Sequence, residues 1–232
     1  MLQDHHRIED GWLIPVLQQA THEELASIVD ALNRGSDVYI KRSPFYRTNQ
    51  HDLTKVPKFI AKCLCQAGGH SLWNLFRGGD GPSYRVVLED VCSKFSVRRP
   101  TNTPVVALEE ALLEAVIKRV LADLPTEQKD ELLSRLAGKA GRPIPWSDAL
   151  GSAAPFSALG VGLLPLLLEQ LGMIGTRSAL LPILGAAAWP LAIATMVLGI
   201  ASSVAGPTYK ATIPAVIQVA ILRQRLLWAR SA

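Results

Sequence analysis

Five small groupings in this chain carry side chains fit for chemistry, and each lacks something the chemistry requires. His5-His6 stands among Asp4, Glu9 and Asp10, a donor set that a divalent cation would accept. The group sits in a polar stretch expected to fray, and ligands on a frayed segment hold no coordination geometry. A solvated tail is the expectation. Cys63-Leu64-Cys65 has one intervening residue where zinc and redox pairs have two, and no second pair exists. His22-Glu23-Glu24 does not continue into a His-Glu-x-x-His zinc helix, and fits helix-cap chemistry instead. His70-Ser71, with Asp80 or Asp90 near in sequence, has the residue types of a hydrolase triad but no nucleophile elbow around the serine. Gly78-Gly79-Asp80-Gly81 is glycine-rich like a phosphate loop, yet no Gly-Lys-Ser/Thr follows it. It reads as a turn, with Asp80 placed to pair with Arg77 or Arg85. No catalytic site, cofactor site or metal site is therefore expected.

The elements around these groups are helical in pattern. Residues 11–20 suggest a short helix started or interrupted near Pro15. Thr21 and Glu24 form a capping box for a helix over 21–34, with Leu25, Ile28, Val29 and Leu32 on one face and Gly35 as its stop. Val38-Tyr39-Ile40 fits a brief strand, and 42–47 a loop or irregular helix. Apolar Phe59, Ile60, Cys63 and Leu64 mark another helix, ended by Gly68-Gly69, and 71–76 a further short one. Tyr84, Val87, Leu88, Val91, Cys92 and Phe95 line one face of a helix over 83–95. Thr103 is placed to cap the next helix, 104–124, with Pro104 at its favoured first position. Its stripe is Val105, Leu108, Leu112, Val116, Val120 and Leu124. A helix over 126–137 and a linker at 138–145 follow.

The remaining third of the chain differs in kind. Residues 149–168 and 178–209 carry no charge, and between them Glu169, Gly172, Gly175 and Arg177 mark a polar tip. The pattern predicts an apolar helical hairpin over 149–209, closed by Lys210. A membrane-spanning helix needs about 20 apolar residues, which both arms supply. Their prolines and glycines do not exclude lipid, where such breaks are tolerated if backbone groups find partners. A helix apolar on all sides is buried in protein or in lipid, and periodicity leaves both open. A final basic amphipathic helix is expected over 213–228, with Arg223, Arg225 and Arg230 toward its end.

Two domains follow from this division: an amphipathic helical domain at 1–142, containing a capped-helix module at about 11–35, and the hairpin with its last helix at 143–232. All but one of the 20 acids, but only 19 of the 24 bases, lie in residues 1–148, so the net charge of +4 belongs to the apolar part. Cations beside apolar segments favour anionic lipid. No basic cluster interleaved with exposed aromatics is evident, which argues against nucleic acid. An odd count of three cysteines and a polar start without an apolar signal core suggest a reducing, cytoplasmic setting with inner-membrane association.

Two stretches resemble a known family. Gly68-Gly69, Asn74, Arg77-Gly78-Gly79-Asp80-Gly81 and Tyr84 through Asp90 to Cys92 are similar to the central motif of the YaaW-like bacterial family. Tyr209, Thr212, Pro214, Gln218 and Arg223 fall in a stretch similar to its C-terminal motif. The capped helix at Thr21 to Leu25 fits its N-terminal module. The family is uncharacterised in activity and loosely grouped with helical ubiquinol-cytochrome c assembly chaperones. The resemblance implies an all-α, non-enzymatic protein and carries no functional residues with it. Two functions stay open: membrane association through 149–209, extending to pore formation or bilayer perturbation, and a soluble binding or chaperone-like bundle with the hairpin as its core and a protein partner.

Overall fold

The structure, a computed structural model, describes residues 11–33, 40–68, 81–98, 100–123 and 207–231, together with 126, 127 and 130. Among them all regular structure is helical: α1 (Ile14–Leu17), α2 (His22–Asn33), α3 (Pro44–Asn49), α4 (Pro57–Gly68), α5 (Tyr84–Lys94), α6 (Val105–Asp123) and α7 (Pro207–Ser231), with 3₁₀ turns at Ile40–Arg42 and Leu53–Lys55. The chain is all-α, as its pattern predicts. Of the hairpin expected over 149–209, residues 149–206 with the tip lie outside the described residues, as do the 71–76 helix and the linker at 138–145, while 207–209 belong to α7.

Local chemistry explains most helix ends. Proline in the first turn starts α1. The capping box of α2 forms as expected: the Glu24 amide donates to Thr21 Oγ1 at 3.3 Å, and the Thr21 amide donates to the Glu24 carboxylate at 2.8 Å. Ser43 is extended, as a residue before proline must be, and Pro44 then opens α3 where the sequence suggested loop or irregular helix. Ile40 begins a 3₁₀ turn instead of ending a strand. At the start of α6 the expected cap does not form. The Thr103 hydroxyl donates to the Pro100 carbonyl at 2.7 Å, and the helix opens with the Leu108 amide on the Pro104 carbonyl. The hydroxyl is thus turned back onto the preceding turn. α5 ends in a Schellman motif: the Val97 amide donates to Cys92 O at 2.9 Å, the Ser96 amide to Ser93 O at 3.1 Å, and Ser96 takes φ 58°.

α7 departs most from expectation. It starts six residues earlier than predicted and keeps Pro214 inside the helix. It is not an amphipathic surface helix. Ala211, Thr212 and Ile213 are consecutive buried positions, and burial continues through Val216, Val219, Ala220 and Leu222 to Arg223 and Gln224. A helix apolar around its whole circumference must be enclosed. α1, α2, α4, α5 and α6 enclose it. α7 therefore packs within the first of the two expected domains. Two glycines permit the tight layering around it. A Cβ on Gly68 would overlap the Val87 side chain, and one on Gly81 would overlap the backbone of Cys65. Among the described residues no helix is long and apolar enough to cross a membrane.

Candidate functional site

Among the described residues the apolar centre holds one fully buried carboxylate. Glu109 is 0% exposed, on the face of α6 that carries Val105, Leu112 and Val116. An ion buried alone would be costly, so partners converge on it. Tyr84, at the start of α5, donates its hydroxyl to Glu109 Oε1 at 2.7 Å. Arg223 of α7 donates Nε to Oε2 and Nη2 to Oε1, the latter at 3.3 Å. The same Nη2 reaches the Trp12 carbonyl at 2.8 Å, tying in the approach to α1. Three helices and a turn thus meet at one carboxylate.

The electrostatics follow from burial. Loss of water pushes the Glu109 carboxyl up, while the Arg223 guanidinium and the Tyr84 hydroxyl pull it down. Burial beside that carboxylate pushes the Tyr84 hydroxyl well above its usual range. The arrangement can lock helices in register. Its carboxylate is occupied by Tyr84 and Arg223 on both oxygens.

A second junction lies at the start of α7. The Tyr209 hydroxyl donates to Asp90 Oδ1 at 3.3 Å, and Lys94 Nζ sits 4.5 Å from the Tyr209 ring centroid. A third joins α7 to α2, where Arg225 pairs with Glu24 at 2.7 Å. Arg230 donates to the Gln19 side chain at 2.9 Å.

These contacts sort the residues singled out in the sequence. Tyr84 meets Arg223 through Glu109, and Asp90 meets Tyr209, so the central and C-terminal motifs fold onto each other. Gly68 is the close approach of α4 to α5, Thr212 is buried and Pro214 half-buried. Arg223, expected at a membrane surface or helix end, is an interior residue, 8% exposed. The buried carboxylate draws it inward. Arg225 and Arg230 are engaged with α2 and the α1–α2 turn, while Lys210 is exposed. Gly69, Asn74, Arg77, Gly78, Glu169, Gly172, Gly175 and Arg177 lie outside the described residues. Cys63, Cys65 and Cys92 are buried thiols outside any disulfide. Among the described residues no three His, Cys, Asp or Glu side chains gather as a metal site.

Sequence reasoning missed Glu109. Its signal was present: a glutamate four residues after Val105 and three before Leu112, in phase with the apolar stripe. A second omission concerns the surface. Phe45 is 51% exposed and stands between Arg42 and Arg47. A basic stretch with an exposed aromatic therefore exists, which removes the premise used against nucleic acid.

Comparison with known proteins matches no family model and no solved structure. It does find relatives along most of the chain. A UPF0174 protein of Helicobacter pylori strain 26695 is 28% identical over 204 residues, covering 81% of this chain and 97% of the relative. The UPF0174 protein YaaW of Escherichia coli K12 is 27% identical over 227 residues, covering 90% of this chain and 92% of the relative. The motif resemblance and these nearly full-length alignments agree: the chain is similar to UPF0174, or YaaW-like, proteins along most of its length.

Proposed function

We propose that this is a non-enzymatic helical protein that associates with the bacterial inner membrane through residues 149–209, with its helical bundle on the cytoplasmic side. The observation that carries the reading is the occupied centre of the bundle. The apolar faces of α1, α2, α4, α5 and α6 surround α7. A chaperone-like bundle wrapped around the hairpin would need those same faces. The uncharged runs on either side of Glu169 and Arg177 then require another cover, and lipid supplies it. Permeabilisation of the bilayer is the sharper form of the same reading.

The full chain tests it. After alkaline carbonate washing of cell membranes, the protein is expected in the pellet, and purified protein is expected to float with vesicles. Dye release from those vesicles distinguishes perturbation from anchoring. Recovery in the soluble fraction, together with protein left at the bottom of the flotation gradient, overturns the proposal.

A further inference from the structure

The near-neutral front half hides a strong local imbalance. Residues 11–33 contain no lysine or arginine, and carry Glu23, Glu24 and Asp30. Residues 40–68 contain six such cations, Lys41, Arg42, Arg47, Lys55, Lys58 and Lys62, and one acid, Asp52. Most of these cations are exposed, and Lys62 is partly so. Lys41 pairs with Asp30 at 2.8 Å and Lys55 with Asp52 at 3.4 Å, both in solvent-exposed geometry. Such surface pairs hold weakly and leave an outward positive field. Even with Glu23 at the nearby start of α2 counted, cations outnumber acids two to one.

An apolar element sits within this field. α3 has no buried residue. Its Phe45 meets Phe59 of α4 edge to face, with ring centroids 5.2 Å apart, and still leaves half its surface to water. Lys58 precedes Phe59, and Lys62 follows it by three residues, so both border the same helix edge. That contact brings the cations of α4 beside those around α3. A phenylalanine among lysines is the combination that settles at a charged bilayer surface, ring in the headgroup boundary and ammonium groups at the phosphates.

We propose that the face formed by α3, its preceding 3₁₀ turn and the start of α4 is a docking surface for an anionic lipid bilayer. It acts independently of residues 149–209 and orients the bundle on the membrane that the apolar segment enters. Nucleic acid fits less well. Phe45 is the one exposed aromatic among the described residues of this face, so successive bases find no row of rings to stack on.

The test uses the full chain with vesicles of phosphatidylcholine alone or with about 30% phosphatidylglycerol, enough to set a negative surface potential. Wild type is expected to show a component that requires phosphatidylglycerol and is released by about 0.5 M salt. Arg47→Gln with Lys58→Gln should weaken that component ~25-fold, at about fivefold per charge removed near the surface. Phe45→Ser should weaken it by a further several-fold at unchanged net charge. Thermal unfolding of the Arg47/Lys58 variant should match wild type, since both side chains are exposed, and Phe45→Ser, which gives up its edge contact with Phe59, should unfold slightly lower. Failure of the membrane reading above would appear as loss of the salt-resistant fraction. Failure of this inference would appear as wild-type binding by the Arg47/Lys58 variant. Loss of binding to a single-stranded oligonucleotide by that variant, with vesicle binding unchanged, would likewise overturn it.

Discussion

Glu109 and Arg223 lie 114 positions apart in sequence and share two hydrogen bonds in the interior. Removing one member strands the other without water. Arg223→Ala is expected to destabilise the fold by about 3–5 kcal/mol. Tyr84→Phe removes only a donor and should cost about 1–2 kcal/mol. Replacing the ion pair by Glu109→Leu with Arg223→Met should recover most of the loss, because both costly desolvations vanish. Urea unfolding of the single and double variants checks this, and additive losses would show that the pair is uncoupled. The helix phase of Glu109 could be seen in the sequence. Its partner could not, since Arg223 looks the same as Arg225 and Arg230 until long-range packing is known.

At the scale of elements, local rules were reliable where partners lie within four residues. The Thr21–Glu24 box, the proline starts and the buried face of α5 follow from short spacing. Thr103 shows the limit, because its hydroxyl turns back to donate to the Pro100 carbonyl instead of capping α6. α7 shows another. Its basic residues suggested a surface, and its central position came from tertiary contacts alone. The end of α5 yields a test. Ser96 holds a left-handed backbone, φ 58°, in a closing motif that favours glycine. Ser96→Gly is expected to raise stability by about 1 kcal/mol, the steric cost of a Cβ in that region. A lower unfolding midpoint in denaturant would contradict the assignment.

The whole molecule joins a polar-coated bundle to a segment between α6 and α7 in which residues 149–206 carry only Glu169 and Arg177 as charges. Its global stability should reveal how tightly the bundle excludes water. Burial pushes the Cys63 and Cys92 thiols up to about 12. A group with a raised pKa favours the fold fully below its ordinary value, here 9.0, and that contribution is lost as pH rises toward about 12. Tyr84 acts in the same direction at still higher pH. The unfolding midpoint should therefore fall steadily from pH 9 to 12, and less steeply in a Cys63→Ala, Cys92→Ala variant. Equal slopes in the two proteins would mean that the thiols reach solvent. The fold class and the mixed charge of the front half were visible in composition. The enclosure of a helix from the far end of the chain was not, because no local pattern records it.

That enclosure has a temporal consequence. The ribosome makes α7 after every helix that surrounds it and after residues 149–206, at roughly 5–20 residues per second. For seconds, the nascent helices α1, α2, α4, α5 and α6 wait without their central member while the greasy stretch has already left the exit tunnel. Under the membrane reading proposed above, that stretch would meet lipid before the globule closes, so its capture would come before completion of the interior.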